Sequence, residues 1–360
     1  MNKTLIKMNK EQAKEALDAL VKISRVHMYK PIQIAEILYH QRMHGDLDIS
    51  DVESYRNRSK LWRDEMSIHL LGRKCTSSAK FQDNLFESNA IPPKVLCCLN
   101  EENIAKKGAV ESYIYDCFIN RYNQLSQALS YCKNSNSETF DVKCFIDSFW
   151  KEPGLKRSID KIYEIVVYSL FATLVDAMNL QVEVYVDESS YPLLTEFEGF
   201  AQKVMCIDTK KSNHVQDAMV YRVGVTNAAD RGLDMYSNWG PAIQVKHLSL
   251  DIELAQEIVT SISSDKIVIV CKDAEKDIIL SLLTQIGWRK NIQSIVTEND
   301  LIDWYEKALR GRFSDKTANI LLNKLIEEIT LEFPSINDVP QILTNRHYEN
   351  ISDEFWKHKL

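Results

Sequence analysis

The alternation of apolar and polar positions divides the chain near residue 150. Before that point the spacing is helical. Apolar residues recur at three- and four-residue intervals through Ala13, Ala16, Leu17, Leu20 and Val21, through Ile32, Ile34, Ala35, Ile37 and Leu38, and through Val110, Tyr113, Ile114, Cys117 and Phe118. Gly45, Gly72 and Pro92-Pro93 punctuate these runs, as helix breakers do.

After the turn signal Lys151-Glu152-Pro153-Gly154 the pattern changes. An amphipathic helix over Ile159 to Met178 leads into Gln181 to Val186, where strict polar/apolar alternation predicts a strand. Further strands are expected at Met219 to Val225, Ala242 to Leu250, Ile267 to Cys271 and Ile292 to Ile295, with helices over 251–262 and 274–285 between the later ones. From Leu301 the spacing is helical again. The order predicts an α/β fold of the α+β type, a mixed sheet flanked by helices behind a large helical region. Three segments are expected: 1–150, helical, for DNA contact or dimerisation; 151–300, the catalytic core; and 301–360, helices packed on that core.

With 360 residues, 45% of them hydrophobic, and only ten glycines and eight prolines, a full core is expected and low-complexity linkers are not. Residues 1–7 lack the apolar stretch of a signal peptide, and no run is long enough to cross a bilayer, so a cytoplasmic location is expected. Met8-Asn9-Lys10 repeats the opening tripeptide and leaves the second methionine open as the native start. The eight cysteines form no Cys-x-x-Cys pair and are read as buried free thiols.

The net charge of -7 counts against a non-specific, charge-driven nucleic-acid binder, but one segment runs the other way. Between residues 56 and 80 stand Arg56, Arg58, Lys60, Arg63, Arg73, Lys74 and Lys80 against Asp64 and Glu65, a local net of +5. These are the candidate phosphate contacts, with an ordinary solvated helix face as the alternative. His214, in the polar stretch Lys210 to His214, is a further DNA-contact candidate or a plain loop residue. His40 and His44 have metal-compatible helical spacing but no third ligand, and His247 reads as a packed core histidine. Phosphate-binding and dinucleotide-binding glycine motifs and His-Glu-x-x-His are absent, so an ATP-driven motor is not expected.

The chemistry concentrates in Asp234 and, ten residues later, Gln244-Val245-Lys246. On a strand Gln244 and Lys246 project together while Ile243 and Val245 face the core. A hard divalent cation takes oxygen ligands such as the Asp234 carboxylate and the neutral Gln244 amide oxygen; the Lys246 ammonium stabilises developing negative charge or orients water. Glu164, on the helix before the sheet, is a further ligand candidate or a solvated helix position. Asp230, beside Gly232, is either a ligand or a turn former.

Glu164, Asp234 and the Gln-x-Lys strand resemble the PD-(D/E)xK nuclease superfamily. Ala229 to Asp234 with Gln244-Val245-Lys246 is similar to its Mrr-like branch, which also carries Gln in place of Glu. The chain as a whole, helical front included, resembles the HaeII-type type II restriction endonucleases. The resemblance implies Mg2+-dependent hydrolysis of double-stranded DNA within purine-GCGC-pyrimidine, leaving a 3′ overhang. It makes Asp234, rather than Asp230, the metal-binding aspartate. Cutting both strands of a palindrome implies a homodimer, with a cognate DNA methyltransferase as functional partner. Two other functions are weighed: a Mrr-like nuclease for modified DNA, and a non-catalytic DNA-binding protein with a decayed nuclease fold.

Overall fold

Asn9 caps the first helix with a capping box closed by Gln12, and α1 (Lys10–Ile23) buries Ala13, Leu17, Leu20 and Val21, the apolar spacing seen in the sequence. In this computed structural model the described residues are 8–74, 84–152, 154–223, 233–262, 264–273, 292–333, 341–351 and 353–357. Helices α2 (Tyr29–His44) and α3 (Val52–Leu71) each end on a left-handed glycine, Gly45 at φ +67° and Gly72 at φ +69°, a conformation that costs glycine no Cβ clash. Pro92 and Pro93 start α4 (Pro93–Ala105), where the missing N–H is not needed. They are followed by α5 (Ala109–Asn134) and α6 (Val142–Lys151).

The chain divides into two compact units. One comprises Met1–Asn134, Cys144–Ile159 and Ile329–Leu360; the other comprises Ser135–Lys143 and Asp160–Glu328. The limits differ from the expected 301–360 segment, because residues 329–360 group with the helical unit. There Arg346 binds Glu36 at 2.6 Å with both partners buried, and Trp356 lies edge-on to Tyr113. Helical periodicity reveals that a segment is a helix but not which helices it joins.

The second unit opens with α7 (Ile159–Ala177), then β1 (Gln181–Tyr185), α8 (Tyr191–Glu196) and β2 (Asn213–Asp217). The strands β1 and β2 form an antiparallel pair by themselves. A five-stranded mixed sheet follows in chain order: β3 (Val220–Arg222), β4 (Met235–Ser237), β5 (Ala242–Ser249), β6 (Ile267–Asp273) and β7 (Ile292–Thr297). The β3-β4-β5 pairs are antiparallel and the β5-β6-β7 pairs parallel. This is the expected α/β fold, with β2 and β4 added to the strands read from the sequence. Between β5 and β6 runs α9 (Ile252–Ser261), capped by Asp251, whose Ala255 and Ile258 pack on Ala242, Ile267, Ile269 and Cys271 from one sheet face. The capping box of Thr297 and Asp300 starts α10 (Glu298–Arg310), whose Tyr305 hydroxyl donates to the Val166 carbonyl of α7 at 2.9 Å. The last long helix is α11 (Ser314–Glu332). The helix expected over 274–285 lies outside the described residues. Among the described residues no helix is long and apolar enough to cross a membrane.

Not every cysteine is buried. Cys117, Cys132 and Cys271 are, whereas Cys144 and Cys206 are exposed thiols, since Cys144 lies on the outer side of α6 and Cys206 in the turn before β2.

Candidate active site

The register of β4 against β5 pairs Met235 with Ile243, so the next residue outward on each side brings Asp234 opposite Gln244. A backbone bond from Val223 N–H to the Asp234 carbonyl, 2.9 Å, fixes the chain at that point. The Asp234 carboxylate then reaches across to β5. Its Oδ2 accepts from the Gln244 amide Nε2 at 2.5 Å and from the Val245 backbone N–H at 2.8 Å, satisfying a strand donor beyond the end of β4. Asp234, Gln244 and Lys246 therefore lie on one sheet face, with Ile243 and Val245 buried on the other.

Burial raises the Asp234 pKa above the usual carboxylate value, opposed by the Val245 N–H and by the positive charges of Lys246 and Lys161. Gln244 is 2% exposed, and its Oε1 has no hydrogen-bond partner among the described residues. An unpartnered buried amide oxygen beside a carboxylate leaves an acceptor pair for a cation. A metal therefore fits Asp234 and Gln244 as donors. The remaining positions would be left to water. Among the described residues no group of three or more His, Cys, Asp and Glu is arranged to hold a metal, so this donor set is poor in carboxylates.

Glu164 on α7 is buried, and its pKa is raised by that burial, countered by Lys161 and raised further by the charge of Asp234. Both of its oxygens are engaged, Oε2 by Lys161 Nζ at 2.6 Å and Oε1 by Arg222 at 3.4 Å. Arg222 also binds Glu328, at 2.9 Å. Glu164 thus shares the electrostatic field of Asp234 while bound to cations of its own unit. Two tyrosines that sequence reasoning missed, Tyr221 and Tyr236, are cross-strand partners on β3 and β4, stacked at 5.0 Å and partly exposed. Tyr236 is two residues from Asp234 and so on its face of the sheet. The signal was present as two period-2 aromatics, but β4 is too short to show alternation. Asp230 lies outside the described residues.

His247 is buried edge-on against Tyr163, as a core histidine. His40 stacks on Trp62 at 3.7 Å; burial lowers its pKa to about 4. The basic candidates separate by environment. Arg58 is exposed, bound to Asp46 at 2.7 Å and lying over the Trp62 ring; Lys74 is exposed; Arg56 and Lys60 are partly exposed. Arg63 is 2% exposed and hydrogen-bonded to Asp64 and Gln33, a core arginine of α3. Arg73 donates to the Leu331 and Glu332 carbonyls at the end of α11 and to His27. His214 is half-buried on β2, and Lys80 lies outside the described residues.

The sequence profile of the HaeII restriction endonuclease family matches residues 13–348, nearly the whole chain and the site with it. The chain belongs to the HaeII restriction endonuclease family. Among similar proteins, the type II restriction enzyme NgoBI of Neisseria gonorrhoeae is 56% identical over 346 residues, covering 95% of this chain and 98% of that enzyme. The type II restriction enzyme HaeII of Haemophilus aegyptius is 52% identical over 343 residues, covering 95% and 97%. At 52% identity to HaeII, this chain is a separate member of the family and not HaeII itself. No solved structure matches the chain.

Proposed function

We propose that this member of the HaeII family is a type II restriction endonuclease. It hydrolyses phosphodiester bonds of double-stranded DNA at a short palindrome, with Asp234, Gln244 and Lys246 as its catalytic centre and Mg2+ as its metal. The observation that carries the reading is the Asp234 carboxylate locked to Gln244 and Val245 beside a buried Gln244 Oε1 that has no partner among the described residues. Asp234 and Gln244 would hold the metal, and Mg2+ when bound supplies polarisation of the phosphate and activation of water. Lys246 places a compact positive charge where negative charge develops on the phosphorane oxygens, a task suited to ammonium. Glu164 acts on the site through its charge, held in place by Lys161 and Arg222.

The relatives' names support restriction of DNA, and family likeness supports purine-GCGC-pyrimidine with a 3′ overhang as the site. A homodimer brings two such centres to a two-fold site, and a cognate methyltransferase protects the host copy. Exposed Arg58 and Lys74, with Arg56 and Lys60, are the phosphate contacts this reading favours. Digestion of unmethylated and methylated plasmid with Mg2+, followed by end mapping, tests it. Discrete bands from the unmethylated form, with ends at that site, are expected. Preferential cutting of modified DNA would favour the Mrr-like alternative, and no cutting with any divalent ion the decayed fold.

A further inference from the structure

The connection between β1 and β2 carries an apolar stripe that the sheet does not use. Helical backbone runs from Tyr191 to Met205 through Tyr191–Glu196, Glu198–Phe200 and the π-helical turn Ala201–Met205. Its inner side buries Leu194 and Ala201 with Ile207, against Val186 and Met205. Its outer side presents Leu193, Phe197, Phe200 and Val204, which are 59%, 53%, 56% and 64% exposed. Their spacing of four, three and four residues keeps all four on the outer side of this helical connection. A contiguous exposed apolar stripe of this kind marks an interaction surface. Among the described residues the strands beneath it form a two-stranded pair, an arrangement that is marginal unless covered.

Charge and symmetry decide what covers it. From Gln181 to Asp217 there are seven acidic residues against Lys203, Lys210 and Lys211, a net of -4 that repels a phosphate backbone and directs this surface to protein. The stripe is also complementary to itself. In an antiparallel two-fold pairing, Leu193 of one copy meets Val204 of the other and Phe197 meets Phe200. The flanking Glu196 and Lys203 then form two opposite-charge pairs, as an isologous contact requires. Each of the four side chains exposes about 100 Å2, so pairing removes at most roughly 800 Å2 of apolar surface, close to the apolar share of a standard interface of about 1,600 Å2.

We propose that the Tyr191–Met205 stripe is the surface through which two copies of this chain pair. The inference rests on the homodimer reading above and gives it a location. Sedimentation equilibrium of the full chain, wild type against Phe197→Asp, Glu196→Lys, Lys203→Glu and the Glu196→Lys/Lys203→Glu double variant, tests it. Wild type is expected to be a dimer. Phe197→Asp and each single charge reversal should raise the dissociation constant at least about tenfold, and the double reversal should restore pairing. All these side chains are exposed, so the circular dichroism spectrum should stay unchanged, and a variant that loses it is replaced by Val204→Asp. A wild-type chain monomeric at every concentration, with or without duplex DNA, overturns the homodimer reading and this inference with it. A wild-type dimer that none of the variants weakens, or single reversals that the double reversal does not rescue, overturns this surface alone.

Discussion

Replacing Gln244 by Glu puts a second carboxylate beside Asp234, and the structure makes it a severe change in the metal-free protein. Gln244 Nε2 donates to Asp234 Oδ2 at 2.5 Å, and a Glu carboxylate would put a second negative oxygen there. At an effective dielectric constant of about 20, two charges 4 Å apart repel by about 4 kcal/mol. Protonating one carboxyl at pH 7.5 caps the penalty at a similar value, about 1.4 kcal/mol for each pH unit above its ordinary pKa near 4.3. Gln244→Glu should therefore lose about 3–4 kcal/mol in EDTA, equivalent to about 10 °C in melting temperature for a unit of this size. The shared proton raises one pKa in the folded state, so stability is highest below the unfolded carboxyl pKa and falls as pH rises. At pH 5 the penalty shrinks to about 1 kcal/mol. Thermal melts in EDTA at pH 7.5 and pH 5, then with Mg2+, should show loss, partial recovery and further recovery. A Gln244→Glu protein that melts with wild type in EDTA at pH 7.5 would refute the placement of Gln244 against Asp234.

Lys246→Ala should reduce single-turnover cleavage by at least about a hundredfold with little effect on DNA affinity, measured by rapid quench and by mobility shift; equal losses in both would make it a binding residue. In the helical unit, His27 accepts from Arg73 and contacts the Tyr122 hydroxyl at 3.1 Å, and burial lowers its pKa to about 3. A depressed histidine pKa means the unfolded chain takes up the proton first, so stability is complete above about pH 6.5 and falls toward pH 3. At pH 5 the loss is about 2 kcal/mol, and a His27→Gln variant should lack that component of the acid slope in denaturant titrations. Arg346→Ala leaves the buried Glu36 without its ion pair and should cost about 3–5 kcal/mol by chemical denaturation; a change under 1 kcal/mol would contradict the pairing.

Much of the candidate site was legible because strand geometry has a short period. Gln244 and Lys246, two apart on a strand with apolar neighbours, had to share a face, and the ten-residue interval from Asp234 is a turn plus a return. The hydrogen bond from Gln244 to Asp234, and with it the orphan Oε1, depends on the β4–β5 register, which a three-residue strand does not advertise. On α3 the basic residues read as one charged run. Yet Tyr55, Ser59, Arg63, Met66 and Leu70 recur at helical intervals and all face inward, a stripe that placed Arg63 in the core had its polar members been counted. Arg73 was not legible, because its partners at Leu331 and Glu332 lie 258 and 259 residues away. Burial of Glu164 was readable from its neighbours Tyr163, Ile165, Val166 and Val167, all apolar and all buried, though its ion pairs with Lys161 and Arg222 were not.

On the proposed function, Asp234 anchors the metal at which DNA is cut. Asp234→Asn keeps an oxygen for Gln244 Nε2 and the Val245 N–H, so the fold and specific DNA binding should survive while the charge that holds the cation is lost. The direct measurement is single-turnover cleavage of an end-labelled duplex containing the mapped site, in Mg2+, alongside a binding titration of the same duplex. Wild-type affinity with cleavage reduced at least about a thousandfold is the predicted result. Cleavage by Asp234→Asn within tenfold of wild type would contradict the account.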